Sequence, residues 1–208
     1  MLDWLYHFFS AVCGQNPEHT WVPGGIRLPC CERCMGLYAG ACAAAVLHVS
    51  LRPKLTGRLL EVHGAFLLLM APFGFHWLPQ DPLLRTLTGM LFGFGVVTYA
   101  WLPLSDSAVA RIGNPRYRRI ATCRARPGAE HLAGSNPVMQ PAANPGYALG
   151  LGAALAAVPA LAALGGRPGA YLLCGLVCAG ALALGALLMA NAALGVAGLT
   201  GLARKALV

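Results

Sequence analysis

Charged side chains are scarce in this chain. Only 11% of its 208 residues are Asp, Glu, Lys or Arg, whereas an ordinary soluble domain has about 25%. Acidic residues are the rarest, with 7 Asp and Glu against 15 Lys and Arg. Together with a hydrophobic content of 57%, this composition excludes an ordinary soluble domain and predicts an all-α integral membrane protein.

Several catalytic and binding motifs are also missing. The sequence has no paired-carboxylate or Asp-rich motif of the kind that lipid or prenyl chemistry commonly uses, and no C-x-x-C-H for haem attachment. Its basic residues lie between apolar stretches with little aromatic interleaving, so nucleic acid is not an expected partner. The lipid bilayer is the expected partner, and whether the protein is an enzyme stays open.

The chain does have five apolar stretches long enough to cross a membrane, which takes about 20 residues each. They run over 34–51, 59–78, 83–104, 147–164 and 171–199. The stretch 2–12 is shorter, carries Asp3 and lacks a basic leader, so it predicts an interfacial helix rather than a cleavable signal peptide. We therefore expect about five transmembrane helices in one membrane domain, 1–208. The domain would begin with an interfacial helix and a cysteine-rich loop (1–33), followed by spans one to three (34–104), a basic cytoplasmic loop (105–146) and spans four and five (147–199).

The distribution of Lys and Arg predicts the orientation. The connections on one side of the predicted spans hold 11 basic residues, and those on the other side hold 4. Because basic loops stay in the cytoplasm, the sequence predicts a multi-pass membrane protein with these basic connections on the cytoplasmic side. The N-terminal segment and its cysteines would face outward.

Four cysteines crowd into the 22 residues before and at the start of the first span: Cys13, Cys30, Cys31 and Cys34. A helix N-terminus and the neighbouring Arg33 favour thiolates, which both metal binding and disulfide exchange require. We expect Cys13, Cys31 and Cys34 to bind zinc or another thiophilic metal, with Cys30 or His19 as a fourth ligand. Adjacent Cys30 and Cys31 cannot easily both point inward.

Two further interpretations of the cysteines stay open. An outward-facing segment lies in an oxidising compartment, so the cluster could be a structural disulfide. It could also belong to a membrane thiol oxidoreductase that passes electrons to quinone, although the outer turns contain no second cysteine pair to relay oxidation. Cys174 and Cys178 are interpreted as small apolar filler. The favoured function is a non-catalytic metal-binding component or subunit of a membrane complex.

Other polar residues lie near the ends of the predicted spans. His76 and Arg85 flank a short outer turn and could line one pocket together with the cysteine cluster, as a binding site for a cofactor or substrate. Glu61 and His63 lie near the other end of span two, where solvation at the membrane interface is expected. Glycine pairs four residues apart, such as Gly36 and Gly40, predict close helix contacts.

The cysteine motif resembles the signature of a known family. The matching positions are Cys13-x-Gln15-x-Pro17-Glu18, Gly24 and Pro29-x-Cys31-x-Arg33-Cys34-x-Gly36-x-Tyr38-x-Gly40, with weaker similarity to about residue 95. They are similar to small prokaryotic membrane proteins classed as domain of unknown function 2085. The resemblance implies a membrane protein with a cysteine motif and no established activity. Family members commonly have His after the first cysteine; here that position is Gly14, so His19 or Cys30 would have to replace it.

Overall fold

The computed structural model describes residues 3–53, 56–75, 77, 81–111 and 145–206, with the backbone alone over 105–111 and 197–206. Within these ranges the chain forms α-helices, two short 3-10 turns and no strand, which confirms the all-α prediction. The helices are α1 (Asp3–Ser10), α2 (Glu32–Leu51), α3 (Gly57–Gly74), α4 (Pro82–Arg111), α5 (Pro145–Leu164) and α6 (Gly166–Ala206). Most of the connection predicted over 105–146 lies outside the described residues.

Four of the described helices are long and apolar enough to cross a membrane, against five predicted spans. They are α2, α5, the part Pro82–Leu104 of α4 and the part Gly166–Val196 of α6. The remaining predicted span corresponds to α3, which has 18 residues and carries Arg58 and Glu61 in its first two turns. Only the part of α3 beyond His63 is continuously apolar, so α3 is a weaker membrane helix than its neighbours.

Helices α2 and α4 form the most extensive helix pair, and glycine lets them approach closely. Gly36 of α2 lies against the backbone carbonyl of Thr86, and Gly89 of α4 lies against the carbonyl of Arg33. A Cβ atom at either glycine would overlap these carbonyl oxygens. About one turn further along, the second glycine of each helix lies against the backbone of the other helix in the same way. The spacing of four residues between the glycines predicts this repeated contact.

Gly89→Ala should therefore destabilise the bundle. The added methyl group meets backbone atoms, which cannot turn aside as a side chain can, so the helices must separate at a cost of about 1–3 kcal/mol. Thermal unfolding in detergent measures this loss. The control is Gly152→Ala in α5, where a Cβ atom meets nothing within 4 Å; equal melting of the two variants would contradict the packing argument.

The N-terminal helix α1 lies against the bundle through one face. Leu5 and Phe9 are buried, and the ring of Phe9 lies 5.4 Å from that of Tyr38 in α2, measured between centroids. On the opposite face, Trp4 is 65% and Phe8 57% exposed. A short helix with exposed aromatic rings suits the headgroup region of a membrane.

Candidate metal centre

The segment between α1 and α2 is held in a folded-back conformation by side-chain hydrogen bonds. Gln15 adopts a left-handed backbone conformation, with φ of 46°. Its side-chain amide donates to the carbonyl oxygens of Tyr6 (2.7 Å) and Pro29 (2.8 Å). The indole nitrogen of Trp21 donates to the hydroxyl of Thr86 at 2.9 Å. These bonds bring the beginning and the end of the segment together and attach its middle to α4.

A second contact attaches the same segment to α6. Gly24, in the 3-10 turn Pro23–Gly25, has φ of 58°. It lies directly on the backbone of Gly166 and Arg167, where a Cβ atom would overlap both residues. Only glycine fits this conformation and this approach without strain. The start of α6 therefore supports the cysteine-rich segment.

Three of the predicted ligands meet in this folded segment. The sulfur atoms of Cys13, Cys31 and Cys34 all lie within 4.8 Å of one another. Cys31 is the N-cap of α2, Cys34 lies in its first turn, and Cys13 follows α1. No disulfide joins any of the seven cysteines in the described part of the chain. The three thiols are close enough to bind one metal ion.

The surroundings of Cys13 favour an anionic sulfur. Backbone N–H groups of Cys31 and Gln15 donate to the Cys13 sulfur at 3.2 and 3.5 Å. Hydrogen bonds from the thiols of Cys31 and Cys34, together with these amides, hold the pKa of the Cys13 thiol below its ordinary value. The N-terminus of α2 adds a partial positive charge beside Cys31 and Cys34. Arg33, in contrast, donates to the Phe73 carbonyl of α3 at 3.1 Å.

The two residues predicted as a fourth ligand do not join the group of three. Among the described residues, no further Cys, His, Asp or Glu lies within 4.8 Å of all three sulfur atoms. Cys30 is 1% exposed, and burial raises the pKa of its thiol, with the neighbouring Cys13 and Cys31 adding to the shift. His19 ends the 3-10 turn Pro17–His19 and is half-buried. The fourth ligand stays a prediction.

Arg85 is buried beside the cluster in an ion pair. Its Nε lies 3.2 Å from Oε2 of Glu32, and the two side chains are only 9% and 4% exposed. Glu32 stands between Cys31 and Cys34 in the sequence, so the pair connects the cysteine motif to α4. Glu32 was not among the functional residues predicted from the sequence. An acidic residue inside a cysteine motif next to an apolar helix does, however, indicate a buried basic partner. His76 lies outside the described residues, and its shared pocket with Arg85 stays a prediction.

One sequence-based expectation about the opposite end of the bundle is wrong. His63 was expected to be solvated at the membrane interface, but it is 2% exposed. Its Nε2 lies 3.0 Å from the hydroxyl of Tyr147 in α5. Glu61, two residues earlier and on another face of α3, is exposed. His63 and Tyr147 are 84 positions apart in the sequence, so no local pattern predicts this contact.

Comparison with known proteins covers the part of the chain that contains the cysteine cluster. No curated protein and no solved structure matches the sequence. The match to a family model extends over residues 13–99 and includes the three clustered cysteines, Glu32 and Arg85, whereas α5 and α6 lie beyond it. The resemblance seen in the motif is thereby confirmed: residues 13–99 are similar to the DUF2085 family of predicted membrane proteins.

Proposed function

We propose that this protein is a metal-binding component of a membrane assembly, with Cys13, Cys31 and Cys34 as thiolate ligands of zinc. The observation that carries the proposal is the convergence of three sulfur atoms within 4.8 Å, from two separate stretches of chain. Zinc accepts thiolates in tetrahedral geometry with Zn–S bonds of about 2.3 Å. Sulfur atoms at the corners of such a site are about 3.8 Å apart, so small side-chain adjustments suffice.

A three-thiolate site leaves one position on a tetrahedral metal for another molecule. Structural zinc sites usually have four protein ligands, and an open position is typical of sites that engage a further group. Cys30 is a poor fourth ligand because its buried side chain lies outside the group of three sulfur atoms. We therefore favour His19, after a local shift of its turn, or a side chain of another membrane subunit. The absence of a paired-carboxylate motif supports a non-catalytic role.

The excess of basic residues in alternate connections supports a location in a prokaryotic inner membrane with the cluster on its outer face. Helix α2 begins at the cluster and ends next to Arg52, in the first of the basic connections. The long α6 likewise begins beside the cluster and carries Arg204 and Lys205 near its other end. Both helices therefore direct their basic ends away from the cysteines.

A thiol–disulfide oxidoreductase coupled to quinone is the second candidate. Its support is the location of Cys31 and Cys34 at the N-terminus of α2, where a C-x-x-C pair gains thiolate character. In that mechanism a substrate thiolate would attack a Cys31–Cys34 disulfide, and a second substrate thiol would displace the enzyme, which leaves an oxidised substrate and the Cys31/Cys34 dithiol. The dithiol would return to the disulfide by passing two electrons and two protons to quinone.

Metal analysis of the purified full chain distinguishes the two functions. We expect Cys31→Ser and Cys34→Ser each to lose one equivalent of zinc relative to the unsubstituted protein. The matched control is Cys42→Ser. Cys42 is half-buried in α2 two turns beyond the cluster, so this substitution should leave the zinc content unchanged. A zinc content that is unchanged in both cluster variants overturns the proposal.

Thiol chemistry provides the complementary result. If the unsubstituted protein contains no zinc, and Cys31 and Cys34 interconvert reversibly between dithiol and disulfide, the oxidoreductase replaces our proposal. If there is neither zinc nor a reversible disulfide, both candidates are overturned.

A further inference from the structure

A second cluster of potential ligands lies at the other end of the bundle. His48 in α2, His63 in α3, Thr98 in α4 and Tyr147 in α5 are 0%, 2%, 0% and 3% exposed. His48 follows Cys34 by 14 residues in the same helix, which places it about 21 Å from the cysteine cluster. Polar groups buried in a membrane bundle are costly, so their convergence from four helices requires an explanation.

Pairwise contacts connect the ring nitrogens and hydroxyl groups of these residues in a continuous series. The Tyr147 hydroxyl lies 3.0 Å from Nε2 of His63 and 3.4 Å from Nε2 of His48. The Thr98 hydroxyl lies 3.1 Å from the same His48 nitrogen. In a tetrahedral zinc site with bonds of 2.0–2.1 Å, neighbouring ligand atoms are about 3.3 Å apart. The observed separations are close to that value.

The orientation of His63 is the one that metal coordination requires. Its Nδ1 lies 2.8 Å from the carbonyl oxygen of Leu59, one turn earlier in α3. Because a carbonyl oxygen only accepts hydrogen bonds, Nδ1 carries the proton, and Nε2 directs its lone pair at the Tyr147 oxygen. Metal-binding histidines usually donate their second ring N–H to a backbone carbonyl or a carboxylate in this way.

The two ring nitrogens of His48 differ: Nε2 is hydrogen-bonded to Thr98 and Tyr147, whereas Nδ1 is not paired. Its ring stacks on Trp101 at a centroid distance of 5.6 Å, and Nδ1 is buried without a partner. An unpaired buried nitrogen costs about 1–3 kcal/mol. The ring nevertheless directs Nε2 at Tyr147 and Thr98, where a metal bond would compensate for that cost.

The helix ends supply a suitable electrostatic environment. His48 lies in the last turn of α2, and the negative end of a helix dipole favours a cation there. Tyr147 is the third residue of α5, so it lies at the positive end of that helix dipole. A phenolate would neutralise one of the two charges of a bound dication without any carboxylate.

We propose that His48, His63 and Tyr147 form a second metal site, which binds a first-row transition-metal dication through two imidazoles and one phenolate. Binding replaces the O–H bond of Tyr147 with an oxygen–metal bond and releases one proton to the solvent. The Thr98 hydroxyl is adjacent to the fourth position. Imidazole and oxygen ligands suit zinc, copper, nickel and iron, in contrast to the all-sulfur cysteine cluster.

The test uses the full chain with Cys13, Cys31 and Cys34 all replaced by Ser, so that the result is independent of the cysteine site. In detergent this protein should bind one equivalent of Zn²⁺ and, in a separate titration, one equivalent of Co²⁺. Each titration should produce the ultraviolet difference spectrum of tyrosinate. Added His48→Phe, which keeps a ring against Trp101, should abolish binding. Added Tyr147→Phe should abolish the tyrosinate signal and weaken binding about 10-fold or more.

Two matched substitutions control for folding and for adventitious ligands. Tyr99→Phe removes a hydroxyl from α4 that donates to the Leu60 carbonyl at 2.8 Å, and His7→Phe removes an exposed histidine of α1. Both should bind metal as the triple Ser protein does. If the triple Ser protein binds no metal, or if His48→Phe binds it with undiminished affinity, the second site is overturned. A tyrosinate signal that persists in Tyr147→Phe also contradicts the proposal.

Discussion

Arg85→Leu should lower the free energy of unfolding by about 3–5 kcal/mol, because it leaves the Glu32 carboxylate buried without its counter-ion. The two charged atoms lie 3.2 Å apart, and neither has another hydrogen-bond partner. Water cannot replace the lost guanidinium, since the Glu32 side chain is only 4% exposed. Thermal or denaturant unfolding in detergent measures the loss.

The double variant Glu32→Gln with Arg85→Leu separates the ion pair from general packing. Removing both charges eliminates the unpaired carboxylate, so the double variant should recover most of the stability that Arg85→Leu loses. Arg27→Leu is the control, because this arginine is exposed in the cysteine-rich segment. A double variant as unstable as Arg85→Leu would indicate that the arginine stabilises the bundle through packing instead of charge.

Removal of the metal should release the cysteine-rich segment from the bundle, a prediction that depends on the proposed zinc site. A metal that joins Cys13 to Cys31 closes a loop over a separation of 18 residues. Cross-linking a loop of about this length contributes roughly 3 kcal/mol, which corresponds to about 100-fold in local opening. Chelation, or Cys13→Ser, should therefore accelerate amide hydrogen exchange over residues 13–30 by about 100-fold.

The same exchange experiment contains its own reference. Amides of α4 and α6 should exchange equally slowly with and without metal, because helix packing rather than the metal stabilises them. Cys42→Ser should behave as the unsubstituted protein does. If exchange over residues 13–30 is equally slow in the chelated and the metal-loaded protein, the hydrogen bonds of Gln15 and Trp21 alone hold the segment closed.

The helices and the triad of cysteines were accessible from sequence because they depend on local patterns. Long apolar stretches predict α2, α4, α5 and α6, and the spacing of Cys31 and Cys34 before an apolar helix predicts a thiolate pair at its N-terminus. The polar first half of α3 weakened that pattern. The sequence therefore predicted where the helices lie more reliably than whether α3 crosses the membrane.

Contacts between distant residues were less accessible. Glu32 and Arg85 are separated by 53 positions, and each alone looks like an ordinary charge near a helix end. His48 and Tyr147 are separated by 99 positions, and no single helix shows that their side chains converge. Burial of such groups depends on how each helix is rotated about its own axis within the bundle. The spacing of apolar residues predicts this rotation only roughly, because most faces of these helices are apolar.

Helix α6 has 41 residues, so at 1.5 Å per residue it extends about 61 Å. The hydrocarbon core of a bilayer is only about 30 Å thick. Its first turn lies beside the cysteine-rich segment, and even a tilted α6 must continue well past the opposite surface of the membrane. The last turns therefore act as a rigid spacer, and any molecule that binds them is held at a set height above the lipid headgroups.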